Sequence, residues 1–173
     1  GEDGRAAVSG SLGTWVRTLD GGATWTTGRV PGADSLQFRD VHAVSADVAY
    51  LLSIGDGPNS RIYKTRDGGA TWTEQFRNAD PKGFYDCFDF WTADRGIAIG
   101  DALGDSRGDS LGAEMAVLTT TDGGGTWTRV PPSRLPAAAA GEGSFAASGT
   151  CAETGADGRA WIVMNTPARS RLI

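Results

Sequence analysis

The chain is poor in the residues that usually carry chemistry. It has one histidine, two cysteines and 16 basic against 21 acidic residues in a length of 173. A lone His42 excludes a histidine-based triad and a multi-histidine metal site within these residues. It stands between Val41 and Ala43 on a strand-like run, where a hydrogen-bonded interior histidine is expected. Cys87 and Cys151 are too few for a disulfide scaffold and have the spacing of neither a zinc site nor a C-x-x-C redox pair. The basic residues are scattered and the net charge is -5, which argues against nucleic acid as a partner. No apolar run reaches the roughly 18 residues of a membrane helix. Gly1-Glu2-Asp3-Gly4 has no basic n-region and no apolar stretch behind it, so this segment is not a signal peptide. Neither a G-x-x-x-x-G-K-S/T phosphate loop nor a dinucleotide fingerprint occurs, and no cofactor or metal is expected.

Glycine is abundant instead, at 26 residues, together with six tryptophans, a composition of turn-dense all-β structure. Three copies of one octapeptide, T-x-D-G-G-x-T-W, punctuate the chain. They run through Thr18, Asp20, Gly22, Thr24 and Trp25; through Thr65, Asp67, Gly69, Thr71 and Trp72; and through Thr120, Asp122, Gly124, Thr126 and Trp127. Each lies between two β-rich runs, and its chemistry is that of a hairpin turn. The aspartate accepts hydrogen bonds from backbone N–H groups two or three residues on, the glycines supply positive φ, and the tryptophan packs beneath. The octapeptide resembles the Asp-box, or BNR repeat, of β-propellers such as sialidases, sortilin-type receptors and photosystem assembly factors. The resemblance implies a structural staple, with no catalytic part for its aspartate.

The intervals between repeats divide the chain further. Asp20 precedes Ala49 by the same interval as Asp67 precedes Gly96, and 44–49 aligns with 91–96 without a gap. Each unit reads as four strands, A to D, with the octapeptide as the C–D turn. A period of roughly 45 residues is that of a propeller blade. The fold expected is therefore an all-β propeller of four-stranded antiparallel blades, about 3.5 of which lie in this chain. They form one propeller segment with a partial blade over 1–30, full blades over 31–78 and 79–131, and a partial blade over 132–173. The expectation is a fragment of a longer ring, which alone exposes its end faces and edge strands.

Relative to the second blade, extra residues fall in 101–113 and 131–143, both on the face opposite the octapeptides. Long loops on a rigid scaffold are where binding sits. The side chains expected around that face are Tyr85 and Asp86 opening an A strand, Asp101 and Asp56 closing B strands, Glu142 and Ser144 before the last A strand, and Asn165 closing the last B strand. An enzymatic reading pairs Asp86 with Asp101 as acid and base; the alternative is a set of solvated loop acids, which is preferred. Asp101, Asp105 and Asp109 lack the EF-hand pattern, so 101–113 is read as a polar loop before a calcium site. Arg107-Gly108-Asp109 is a short tripeptide of no weight. Cys87 and Cys151 occupy equivalent points on neighbouring A strands, where side chains point in parallel. Free, buried thiols are expected, with a disulfide as the alternative.

Two further segments carry a more specific resemblance. The stretch from Gly83-Phe-Tyr-Asp-Cys-Phe-Asp-Phe-Trp to Gly100-Asp101, and Gly141-Glu-Gly-Ser-Phe to Cys151, resemble bacterial propellers related to the photosystem II stability/assembly factor. That resemblance implies a ring of about seven blades, a non-catalytic scaffold for protein binding or complex assembly, and an extracytoplasmic location. The implied partner is a protein, including a segment of a membrane protein. The alternative is a glycoside hydrolase, sialidase-like or xyloglucanase-like, acting on carbohydrate, with its main catalytic residues outside these 173. The sialidase F-R-I-P signature is absent; Phe38-Arg39-Asp40-Val41 is a partial echo on the wrong side of the first octapeptide.

Overall fold

A computed structural model of the protein describes residues 6–103, 114–139, 141–145 and 151–173. Four antiparallel sheets follow one another along the chain. The first holds β1 (Ala6–Ser9), β2 (Thr14–Thr18) and β3 (Thr26–Arg29); the second β4 (Gln37–Ala43), β5 (Ala49–Ile54), β6 (Arg61–Thr65) and β7 (Thr73–Arg77). The third holds β8 (Tyr85–Phe90), β9 (Gly96–Leu103), β10 (Glu114–Thr120) and β11 (Thr128–Arg129); the fourth β12 (Ala152–Thr154), β13 (Ala160–Asn165) and β14 (Ser170–Leu172). Every strand pairs with its sequence neighbour, and the sheets stack face against face. This is a partial β-propeller. Arg5, residues 104–113 with the carboxylates of the calcium reading and the Arg107-Gly108-Asp109 tripeptide, and 146–150 of the expected last A strand lie outside the described residues.

The octapeptides turn β2 into β3, β6 into β7 and β10 into β11. In the first, Asp20 Oδ1 accepts the Thr18 hydroxyl at 2.8 Å and the Thr24 N–H at 2.9 Å, and Oδ2 accepts the Thr24 hydroxyl at 2.6 Å. The Thr18 hydroxyl oxygen in turn accepts the Gly22 N–H at 2.9 Å. Asp67 repeats all three bonds, and Asp122 repeats those to Thr120 and to the Thr126 N–H. The aspartate thus reaches four residues on, one turn position further than the sequence reading placed its partner. These bonds favour the ionised form and hold Asp20 and Asp67 down to about 2, the Thr24 and Thr71 hydroxyls leading.

Glycine in these turns is required by the next-door sheet. Gly69 has φ +94°, and a Cβ there would lie 2.5 Å from the ring of Trp15, which reaches across from the first sheet. Gly124, at φ +82°, faces Tyr50 of the second sheet in the same way. A sheet one layer thick cannot bury its own apolar faces, so the core is divided among the gaps between sheets. Trp15, Phe38, Leu51 and Tyr63 fill the first gap, Tyr50, Leu52, Phe88 and Phe90 the second, and Ile97, Ile99, Met115, Ile162 and Met164 the third. The end sheets carry exposed apolar side chains, Val8 in the first and Trp161 and Val163 in the fourth.

The inner strands are also tied by directed bonds. Asp40 of β4 accepts the Phe88 N–H of β8 at 2.8 Å. Asp89 of β8 faces His42 at 3.2 Å on one side and accepts the Thr154 N–H of β12 at 2.7 Å on the other. Between the third and fourth sheets the tie is covalent: Cys87 and Cys151 form a disulfide across a Cα–Cα distance of 6.1 Å. The expectation of free thiols is therefore corrected. Cys151 lies on a bend one residue before β12 begins, so its side chain is released from the strand's alternation. Adjacent Cys151 and Ala152 both pack into the third gap, which a regular strand forbids.

Two outcomes follow from this packing. Gly69→Ala should destabilise by about 3 kcal/mol, combining a left-handed backbone with overpacking against Trp15. Gly21→Ala, where φ is +71° but no atom lies within 4 Å of the added Cβ, should cost only about 1 kcal/mol by denaturant titration. Reduction of Cys87–Cys151, whose sequence separation is 64, removes up to about 4 kcal/mol of chain-entropy stabilisation and should lower Tm in a scan with and without dithiothreitol.

Candidate functional site

The start of β8, the end of β9 and the segment 141–145 meet at the end of the sheets opposite the octapeptide turns. A β-bulge between Tyr85 and Cys87 leaves Asp86 out of the pairing register, and such bulges re-aim a side chain. β4 has a bulge at the matching place, where Arg39 stands exposed. Asp86 by contrast is 3% exposed. On β9 the Asp101 N–H donates to the Phe84 carbonyl at 2.9 Å, and the next residue, Ala102, donates to the Glu142 carbonyl at 2.9 Å. The strand end thereby captures segment 141–145. Gly143 lies against the Asp101 carboxylate, and the Ser144 N–H donates to Asp101 Oδ1 at 3.1 Å.

The carboxyl groups of Asp86 and Asp101 lie close enough to shift one another's ionisation. Burial, then the neighbouring Asp101 charge, push Asp86 up to about 8. Burial also raises Asp101, against the Ser144 N–H and the Asp86 carboxyl, which favour its ionised form, and the Asp56 charge adds to the rise. Of these two carboxyls Asp86 is the one that keeps its proton at neutral pH. Asp86 Oδ2 is buried without a hydrogen-bond partner.

The remaining residues named from sequence are distributed around this pair. Asp56 is exposed just past β5. Glu142 is 2% exposed and is held by Arg171 in a two-pronged ion pair, both bonds 2.6 Å, with the Ala139 N–H on Oε2 at 2.8 Å. Ser144 donates its hydroxyl to the Val163 carbonyl at 3.1 Å. Asn165 exchanges backbone bonds with Gly143, at 2.9 and 2.7 Å, and accepts the Ser170 hydroxyl. Tyr85 stands apart: it is buried in the second gap, edge-on to Phe76 at 5.4 Å, with its N–H on Ser60 Oγ. Sequence reasoning missed Arg171, because a partner 29 positions from Glu142 leaves no local signal.

Chemically, the arrangement offers a shallow polar surface underlain by a carboxyl pair. Among the described residues, no group of three His, Cys, Asp or Glu side chains is placed to hold a metal ion.

No protein-family profile and no curated protein matches the chain. Among solved structures it is similar to one titled "YCF48 bound to D1 peptide", with a TM-score of 0.56 and 15% identity, over 98% of this chain and 63% of that one. At that identity the likeness is one of fold, and the chain spans less than two thirds of that structure's length.

The carboxyl pair has a pH signature. An unfolded aspartate ionises near 3.9, while Asp86 keeps its proton to about 8 when folded, so stability falls as pH rises through that window. Asp40, raised by burial to about 6, adds the same slope between about 4 and 6. Asp86→Asn keeps a donor and removes the titration. Its Tm should exceed the wild-type value by several degrees at pH 8.5, the difference shrinking steadily towards pH 5.

Proposed function

We propose that this chain is part of a non-catalytic propeller scaffold that binds a protein partner on the face carrying Asp101, Glu142, Ser144 and Asn165. The observation that carries the reading is the fold likeness, over almost the whole chain, to a propeller solved in complex with a peptide. The site itself is consistent with that role. Its exposed groups are backbone and short polar side chains set on a rigid rim, which suits an extended segment recognised by hydrogen bonds. The partner is a protein segment, with membrane proteins included in that class, and the ring continues to about seven blades. An extracytoplasmic location is part of the proposal, supported by the Cys87–Cys151 disulfide, since such bonds persist in oxidising compartments.

The alternative is a glycoside hydrolase whose main catalytic residues lie outside these 173. The test is selection of peptides on the purified protein, followed by affinity measurement on two variants. Ser144→Arg should weaken the selected peptide at least tenfold, while Thr121→Arg, in an octapeptide turn on the opposite face, leaves it unchanged. Turnover of aryl-glycosides that disappears in Asp86→Asn would sink the scaffold reading.

A further inference from the structure

The gaps between sheets are built on one register, so they can be compared position by position. Thr18 and Thr65 open equivalent octapeptides and pair with Ala6 and Ala49 respectively. Counting from there, Ala7 opposite Arg17 matches Tyr50 opposite Lys64. On the facing sheets Ala43 opposite Ala49 matches Phe90 opposite Gly96. In the second gap Tyr50 and Phe90 stack, with ring centroids 4.2 Å apart and planes inclined by 27°. The Tyr50 hydroxyl donates to the Gly123 carbonyl at 2.8 Å, where Lys64 also donates at 2.6 Å.

In the first gap both rings are replaced by alanine. Trp15, in the place of Ile62, recovers part of the lost volume, and its ring lies 6.0 Å from Trp72. What remains is a cavity of about 50 Å³ whose lining includes Ala7, Ala43, Val41, Leu51 and both tryptophans. The lining continues through Leu19, Ala46 and Gly68, so the cavity reaches the octapeptide end of the sheets. Its polar end also differs from that of the second gap. Arg17, in the place of Lys64, donates to the Ala46 carbonyl at 2.8 Å instead of to the glycine carbonyl of the turn, and its Nε is buried without a partner.

We infer that the gap between the first and second sheets is a binding slot for a single hydroxyl-bearing aromatic ring, a phenol, seated beside Trp15 near the register positions that Tyr50 and Phe90 hold one sheet further on. The walls supply two indole rings and aliphatic side chains for the ring, and apolar cavities of this kind admit apolar ligands more readily than water. The turn carbonyl of Gly68, matching Gly123, and the Arg17 guanidinium supply the polar end for the hydroxyl. This slot lies at the opposite end of the sheets from the proposed partner-binding face, and the inference stands without that proposal.

The probe is p-cresol, the side chain of tyrosine as a free molecule, titrated against the fluorescence of Trp15 and Trp72 and against Tm. The wild type should show saturable binding in the millimolar range and a rise in Tm at saturation. The double variant Ala7→Tyr, Ala43→Phe installs the ring pair of the second gap. It should bind p-cresol at least tenfold more weakly while melting no lower than the wild type without ligand. Ala43→Leu, a smaller filling, covers the case in which the double variant does not fold and should weaken binding in the same direction. N-acetyl-tyrosinamide run in parallel separates the sources: equal binding assigns the slot to a tyrosine side chain of a partner, and selective binding of p-cresol assigns it to a free phenol. A wild type with no saturable response to either compound, or filled variants that bind as the wild type does, would overturn the inference.

Discussion

The whole arrangement depends on the inability of any one sheet to bury its own faces. Each is a single layer of three or four short strands, and its apolar residues become core only against the next sheet. This makes the gap between sheets the unit of stability. The turn glycines are explained by the same constraint: Gly69 and Gly124 are bare because a ring from the preceding sheet lies where a Cβ would be. So are the polar ties of the inner strands. Asp40, Asp89 and the Cys87–Cys151 disulfide each join one sheet to the next.

Much of the architecture was legible because the repeat is strong. An octapeptide with a fixed aspartate, two glycines and a tryptophan marks one turn in each of the first three sheets, and the equal spacing from the first two turns to the next B strand sets the strand count without any tertiary information. A continuous apolar run such as Ala49–Ile54, buried along its middle, is delimited from sequence as it stands in the fold. The disulfide was hidden for a related reason. Register arithmetic assumes that strands stay regular to their ends, and Cys151 lies just beyond the end of β12, on a bend that no periodicity reports. The site was only half legible. Asp86 and Asp101 could be placed at the same end of neighbouring strands, but the bulge that takes Asp86 out of the pairing register is something sequence spacing does not reveal. Glu142 reads as an exposed loop acid until Arg171 is seen across from it.

The same bulge separates the fates of two charged residues. At equivalent positions on β4 and β8, Arg39 is exposed to solvent, whereas Asp86 is drawn against Asp101 and keeps its proton. A buried carboxylic acid that remains neutral at pH 7 acts as a donor. The neighbouring Asp101 carboxylate takes the Ser144 N–H and so holds the segment on which Glu142 and Ser144 stand.

Repetition also makes departures from the pattern informative. Once the gaps share a register, a ring that is present in one and missing from another cannot be ascribed to a different backbone course. Tyr50 and Phe90 show what the scaffold does when it fills this position, and Ala7 and Ala43 show that it does not always do so. The larger Trp15 offsets the missing volume without closing the space, and the turn glycine beneath it is kept although the ring it accommodates has changed. A gap that were simply less stable would collapse onto its alanines. This one is propped open by two tryptophans, and an open slot walled by aromatic rings is a geometry that a ligand completes.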